Sequence, residues 1–456
     1  MARLFTDFVH SLTYDDIPQQ TRYFVRRCLL DLIGVAAAGT STPLSGIIRE
    51  HTVDHFGAGR KSARILFDSR LVSPVGAALA NATTIDSMDA HDGQKLTKGH
   101  VGCGVLPALL AFSQAENAMD EREFLTALLI GYELGSRAGI ALHRTVSDYH
   151  TSGAWIAIAC AAIGARRLGL DSSQSREAIG IAEYHGPRSQ MMRAIDAPTM
   201  VKDGSGWGSM AGVSAAYLAA QGYTGAPALT VEHGDVADLW SDLGERWYTD
   251  EQYFKPYPVC RWAQPAVEAS LTLCRQHGLG AEMIDHLEVT TFHEGKRLAT
   301  AFPENTEQAQ YSLPYPTAAA IVFGKLGPEQ ICGNALRDAE VRRLAGSMLL
   351  HEDEAYNREF PARRIARVKI HTKSGEVFES ASTEARGDPE SHLADSEIRD
   401  KFHSFAAPMI GAARAKKIET AIDNLGSGDS LEPFFELLMA PLPETLSYDQ
   451  AETDAA

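Results

Sequence analysis

GAWIAIACAAIGARRL, residues 153–168, is apolar or small on every side until Arg166, and it reads as one helix. Gly153, Ala157, Ala161 and Gly164 recur at steps of three and four, the spacing of a single helical face. Residues this small let a neighbouring helix come close. The same habit marks 23–38, 72–86, 105–117, 122–142, 174–183 and 208–221, so helix packing is expected to build the core up to about residue 250. Strand-like alternation bounded by turn pairs hardly occurs in this half.

The character changes after the Pro-rich stretch FKPYPVCRW (254–262). IDHLEVTTF (284–292) and RIARVKIHT followed by a KSG turn and EVFES (364–380) alternate as sheet strands do. Between them, TAAAIVFGKL (317–326) and the segment after Pro328 read as helices, which makes this part α+β. From Ser396 to Leu438 the pattern is helical and amphipathic again, too short to fold alone and so expected to return to the first helical part.

At 456 residues the chain exceeds what one core usually organises, and two domains are expected. Lys plus Arg number 42 against 59 Asp plus Glu, a formal charge of -17 that repels a phosphate backbone and argues against nucleic acid as a partner. An acidic protein that handles an anion must gather its cations locally, so Lys and Arg beside other polar groups become informative. The six cysteines form no C-x-x-C pair and read as reduced thiols. MARLFTDFVHSL lacks the layout of a signal peptide, and apolar stretches such as 153–165 fall short of the roughly 18 residues of a membrane span. A cytoplasmic protein without membrane association is expected.

The densest polar cluster is SMDAHDGQKLTKGHVGCGVLPALLA (87–111), which sets Asp89, His91, Asp92, Lys95, Thr97, Lys98 and His100 before an apolar helix. Carboxylate, imidazole and ammonium groups in close company shift one another's pKa values, which is how a general base becomes poised near neutral pH. Gly99, Gly102 and Gly104 would let N–H groups near a helix start face an anion. The cluster reads equally as a solvated loop capping the following helix. A zinc reading of His91, Asp92 and His100 lacks a second ligand pair of convincing spacing. MVKDGSGWGSMAG (200–212) adds Lys202, and FKPYPVCRW adds Lys255 and Arg261, each suited to holding a carboxylate or, blandly, to lying on the surface. His150, with Tyr149 beside it, is either a helix-start packing residue or a pocket acid/base. No nucleophile elbow, P-loop, H-E-x-x-H or dinucleotide fingerprint occurs.

RCLLDLIGVAAAGT (27–40), ALANATTIDSMDAHDG (78–93), GHVGCGVLPALLA (99–111), VKDGSGWGSMAGVSAAYLAAQGYTGAP (201–227), FKPYPVCRWAQPAVEA (254–269) and AQYSLPYPTAAAIVFGKLG (309–327), together with 150–171 and 360–378, resemble the MmgE/PrpD family in order and spacing. That family contains 2-methylcitrate dehydratase, cis-aconitate decarboxylase and iminodisuccinate epimerase. The resemblance implies a mainly α protein: a large all-helical domain formed by both chain ends (1–252 and 392–456) and a smaller α+β lid domain (253–391). It further implies a homodimer working without metal or organic cofactor on a small polycarboxylate, with the site in the cleft between domains.

Carried over position by position, Asp89, His100, His150, Lys202 and Lys255 are the expected catalytic residues, with His91, Asp92, Lys98, Tyr149 and Arg261 as substrate contacts. His100 or His150 would take a proton α to a carboxylate while Lys202, Lys255 and Arg261 neutralise the developing charge, and Asp89 would orient the imidazole. Dehydration, epimerisation and decarboxylation all lead from such chemistry, and dehydration is the favoured expectation. A non-enzymatic helical interaction protein is the rival. The family pattern Asp-x-Asp-Asp-Thr reads here Asp89-Ala90-His91-Asp92-Gly93, without the hydroxyl, and Cys260, Arg261 and Gln264 stand where some members carry His.

Overall fold

The computed structural model describes residues 2–427 and 429–443; the end of the expected helical domain, 444–456, lies outside the described residues. The protein is mainly α. The expected helices are present as Gln19–Gly39, Pro74–Asp86, Gly102–Ala115, Glu121–Thr145, Gly153–Arg167, Ser172–His185 and Ser205–Ala220. Several start on side-chain caps: Ser73 and Asp120 each accept the N–H of the third residue on, and Asp171 forms a capping box with Gln174.

Helix Gly153–Arg167 is buried at the centre, between Glu121–Thr145 and Ser205–Ala220. Its small stripe works by contact: a Cβ at Gly212 would lie 2.3 Å from the Ala157 carbonyl oxygen, and one at Gly208 2.3 Å from that of Gly153. Gly102 and Gly104 follow the same logic. A Cβ there would strike Tyr132 Oη at 2.0 Å or Ile156 Cγ2 at 2.3 Å, so these glycines admit neighbouring side chains instead of cradling an anion. The later helices Asp395–Ile410, Ala412–Asn424 and Glu432–Met439 follow the sheet, and the first packs on Gln19–Gly39. There the buried Lys401 ammonium donates to Asp31 Oδ1 at 2.5 Å and to the Ala90 carbonyl at 2.6 Å.

Ile284–Thr291 and Ile365–Thr372 form the antiparallel centre of a five-stranded sheet. Leu349–Glu352 lies parallel on the outer side of the former, while Val377–Glu379 and Thr383–Glu384 pair with the latter. The expected helix after Pro328 is 3-10 turns, Pro328–Ile331 and Gly333–Arg337, before helix Ala339–Gly346 begins on its Asp338 cap. Two further short strands position the site: Gly93–Gln94 pairs with Gln252–Tyr253, stitching the polar loop to the segment that enters FKPYPVCRW. Among the described residues no single helix is long and apolar enough to cross a membrane.

Candidate active site

Asp89, His100, Asp203 and Lys255 meet in one small cavity although their chain positions are far apart. Asp89 is fixed from both ends. Its backbone N–H donates to Gln310 Oε1 at 2.9 Å, and its carboxylate accepts the Lys255 ammonium. Burial opposes the Asp89 charge, but Lys255, Lys202 and the two imidazoles hold its carboxyl well below the usual carboxylate range. Burial likewise opposes the Lys255 charge, and Asp89 more than offsets it, raising the pKa above that of an ordinary lysine.

His100 Nδ1 lies 2.7 Å from the Asp92 carbonyl oxygen. A carbonyl only accepts, so Nδ1 carries the proton, and Nε2 faces the cavity, 3.5 Å from Asp203 Oδ2 and 3.8 Å from Asp89 Oδ1. Burial, then Lys255 and His91, push the imidazole down to about 3, so the ring is neutral at physiological pH with its lone pair on Nε2. Asp203 is pushed upward by burial and receives the Tyr311 and Ser152 hydroxyls at 3.2 and 3.1 Å. Ser152 Oγ also accepts the His100 backbone N–H at 3.0 Å, locking the residue from behind. A base and a proton-bearing phenol thus face one small space.

Lys202 is buried, not a surface lysine. It adopts a left-handed φ of +48°, rare for a side-chain-bearing residue and costing about 1–3 kcal/mol. That turn sends its ammonium to Gln310 Oε1 at 2.5 Å and over the Tyr311 ring at 4.7 Å. Lys98, also left-handed, lies above the Tyr149 ring, whose hydroxyl donates to the Lys98 carbonyl; both line the cavity.

Four expected site residues are placed differently. His91 is completely buried behind His100, ring edge to ring face at 4.2 Å between centroids. The Asp92 carboxylate turns away to accept the Tyr132 hydroxyl, and burial with Asp31 nearby raises it to about 7. It therefore cannot join His91 and His100 around zinc. Asp89, His91 and His100 do bring ligand atoms within 4.8 Å of one another, but the Lys255 ammonium already occupies the Asp89 oxygen. Arg261 lines the cavity with its two terminal nitrogens taken by Asp388 Oδ1 at 2.6 Å, Gln264 Oε1 at 2.9 Å and the carbonyls of Arg386 and Ala385, which makes it a clamp between loops. His150 does not line the cavity: its N–H donates to His143 Nε2 at 3.2 Å and its backbone pairs with Gln190.

Other members of the site went unforeseen. Asp203 follows Lys202 directly, so the KDG stretch held that signal. Gln310 joins Asp89, Lys202, Ser87 and Thr306 from within the polar stretch ENTEQAQYS (304–312), which held a signal, whereas Arg364 sits just before strand Ile365–Thr372 in a stretch with no cluster to mark it. The hydroxyl missing at Gly93 has a counterpart: a Cβ at 93 would lie 2.4 Å from Tyr253 Oη, so the phenol fills that space. The cavity is only about 20 Å³, room for about one water.

Residues 3–242 match the family model of the MmgE/PrpD N-terminal domain and residues 257–427 that of the MmgE/PrpD C-terminal domain. A cis-aconitate decarboxylase-like protein, oryM, of Aspergillus oryzae (strain ATCC 42149 / RIB 40) is 23% identical over 489 residues, covering 96% of each chain. The cis-aconitate decarboxylases of Mus musculus and Homo sapiens are each 23% identical, covering 96% of this chain and 93% and 94% of theirs. With both domain models matched in order across nearly its whole length, the chain belongs to the MmgE/PrpD family of enzymes.

Proposed function

We propose that this enzyme is a lyase that moves a proton at the carbon α to a carboxylate of a small di- or tricarboxylate, with His100 as the base and dehydration of a hydroxy acid as the outcome. The observation that carries the reading is the neutral, buried His100, its Nε2 lone pair turned into a cavity that also holds the Lys255 ammonium. Proton removal there leaves an aci-carboxylate whose charge fixed cations in a dry site can stabilise by several kcal/mol. The Tyr311 hydroxyl, kept protonated by burial and by the nearby Asp203, lines the cavity and is the group suited to protonate a departing hydroxyl, while the Lys202 ammonium packs over its ring from outside the cavity.

The relatives favour a second reading, decarboxylation of a cis-aconitate-like acid, since two cis-aconitate decarboxylases and one protein named as like them align over 96% of the chain. Loss of carbon dioxide would then generate the carbanion, and the same pocket would deliver a proton to it. In either reading a cavity of about 20 Å³ admits a polycarboxylate only after 253–391 parts from the helical body.

Incubation with citrate, 2-methylcitrate, cis-aconitate, malate and aminodicarboxylates, followed by proton NMR in deuterated water, separates the outcomes. A hydroxy acid giving its unsaturated product supports dehydration. Carbon dioxide release from cis-aconitate supports the second reading, and inversion without loss of either group an epimerase. No turnover of any of these acids would count against the proposal.

A further inference from the structure

We infer that the outer face of the sheet carries a binding site for a divalent transition-metal ion, formed by His286, Glu288 and His371 with His351 at its edge. These side chains lie apart from the cavity. Along Ile284–Thr291 the residues Leu287, Val289 and Thr291 are buried, while His286 and Glu288 share the opposite, partly exposed face. His286 and His371 are direct partners in the antiparallel register, and their rings stack 10° from parallel with centroids 4.2 Å apart. His351 comes from the neighbouring strand, opposite Thr290.

The donor atoms converge. One ligand atom each from His286, Glu288 and His371 lies within 4.8 Å of the others. Glu288 Oε1 is 3.0 Å from His371 Nε2, and its Oε2 is 3.7 Å from His351 Nε2. Ligands of a tetrahedral ion bonded at about 2.1 Å sit about 3.4 Å apart, between these two spacings.

Two imidazoles are already poised. His286 Nδ1 is 2.8 Å from Asp285 Oδ2, so Nδ1–H donates to the carboxylate and Nε2 keeps its lone pair, the arrangement that orients metal-binding histidines elsewhere. His371 Nε2 is shielded from solvent and touches the Glu288 carboxylate at 3.0 Å without hydrogen-bond geometry, so the two donor atoms converge without being locked together. Lys369, opposite Glu288 in the register, forms no ion pair with it among the described residues. Three imidazoles and a carboxylate suit Zn²⁺, Ni²⁺ or Cu²⁺ and not the oxygen-seeking Mg²⁺ or Ca²⁺. A bound ion would tie the short edge strand Leu349–Glu352 to the sheet centre.

Calorimetric titration of the EDTA-treated, desalted full chain with ZnCl₂ at pH 7.5 tests this. One saturable site per chain is expected, weakened at least tenfold by His286→Ala, by His371→Ala and by the isosteric Glu288→Gln. All three variants should melt like wild type without metal. His100→Gln should bind zinc as wild type does. Absence of a saturable site, or zinc affinity unmoved by the sheet variants, would overturn the inference; loss of binding in His100→Gln would do so too, by assigning the ion to the cavity.

Discussion

Arg364 is a cavity guanidinium with two nitrogens to spare. It is 2% exposed, lines the cavity, and leaves Nε and Nη1 without a hydrogen-bond partner, while Nη2 reaches only the Lys95 carbonyl at 3.3 Å. Arg261, one wall away, has its terminal nitrogens saturated. A substrate carboxylate would therefore be gripped bidentately by Arg364, a geometry lysine cannot copy. Arg364→Lys should raise KM by about 10- to 100-fold, the worth of a charge-assisted hydrogen bond, with a smaller change in kcat. Arg261→Lys should instead lower the melting temperature; initial rates and melting curves on both variants separate the roles. Sequence reading found Lys202, Lys255 and Arg261 because cations in Gly- and Pro-rich loops stand out in an acidic chain. It missed Arg364 because RRIARV looks like any strand opening. His143 carries a pH consequence: burial, then Lys98 and His150, push it down to about 3. An unfolded chain protonates this imidazole near pH 6.5 while the folded one resists until about 3, so its contribution to stability is full above 6.5 and fades as pH falls towards 3. The stability gap between wild type and His143→Gln, from urea unfolding, should narrow across that window; a gap constant with pH would contradict the assignment.

Helix Gly153–Arg167 and its neighbours were legible because their spacing and small residues are local features, and the contacts explain the composition. Gly212→Ala would place a Cβ 2.3 Å from the Ala157 carbonyl oxygen and 2.5 Å from Cys160 Cβ. Backbone cannot yield cheaply there, so this single methyl should destabilise by about 1–3 kcal/mol. Gly46→Ala, in the exposed turn of helix Pro43–His55 with open space around it, should stabilise by up to about 1 kcal/mol. Denaturant unfolding of the pair checks both signs. Strand Leu349–Glu352 was not legible: it is short, mostly exposed and held by its neighbour's hydrogen bonds, so no alternation marks it. The polar loop was legible as a cluster but not in its facing. Tyr132 draws Asp92 away, and Tyr253 against Gly93 fixes which side chains reach the cavity.

At the scale of the molecule, the site exists only when distant segments meet: Asp89 and His100 from the loop, Asp203 from a left-handed turn, Lys255 from the Pro-rich passage, Tyr311 from a short helix end and Arg364 from the residue before strand Ile365–Thr372, with Lys202 and Gln310 bonded to each other behind them. A crowded loop and scattered lysines can be read from a sequence, but their convergence depends on long-range packing, which local spacing does not encode. This convergence makes His100 the proton carrier of the proposed reaction. That role is tested by following the identified acid with proton NMR in deuterated water, using wild type and His100→Gln side by side. Wild type should turn over with solvent exchange at the carbon α to the carboxylate, and both should fall by about 10²–10⁴-fold in a variant that melts normally. Near-wild-type turnover and exchange in His100→Gln would contradict it.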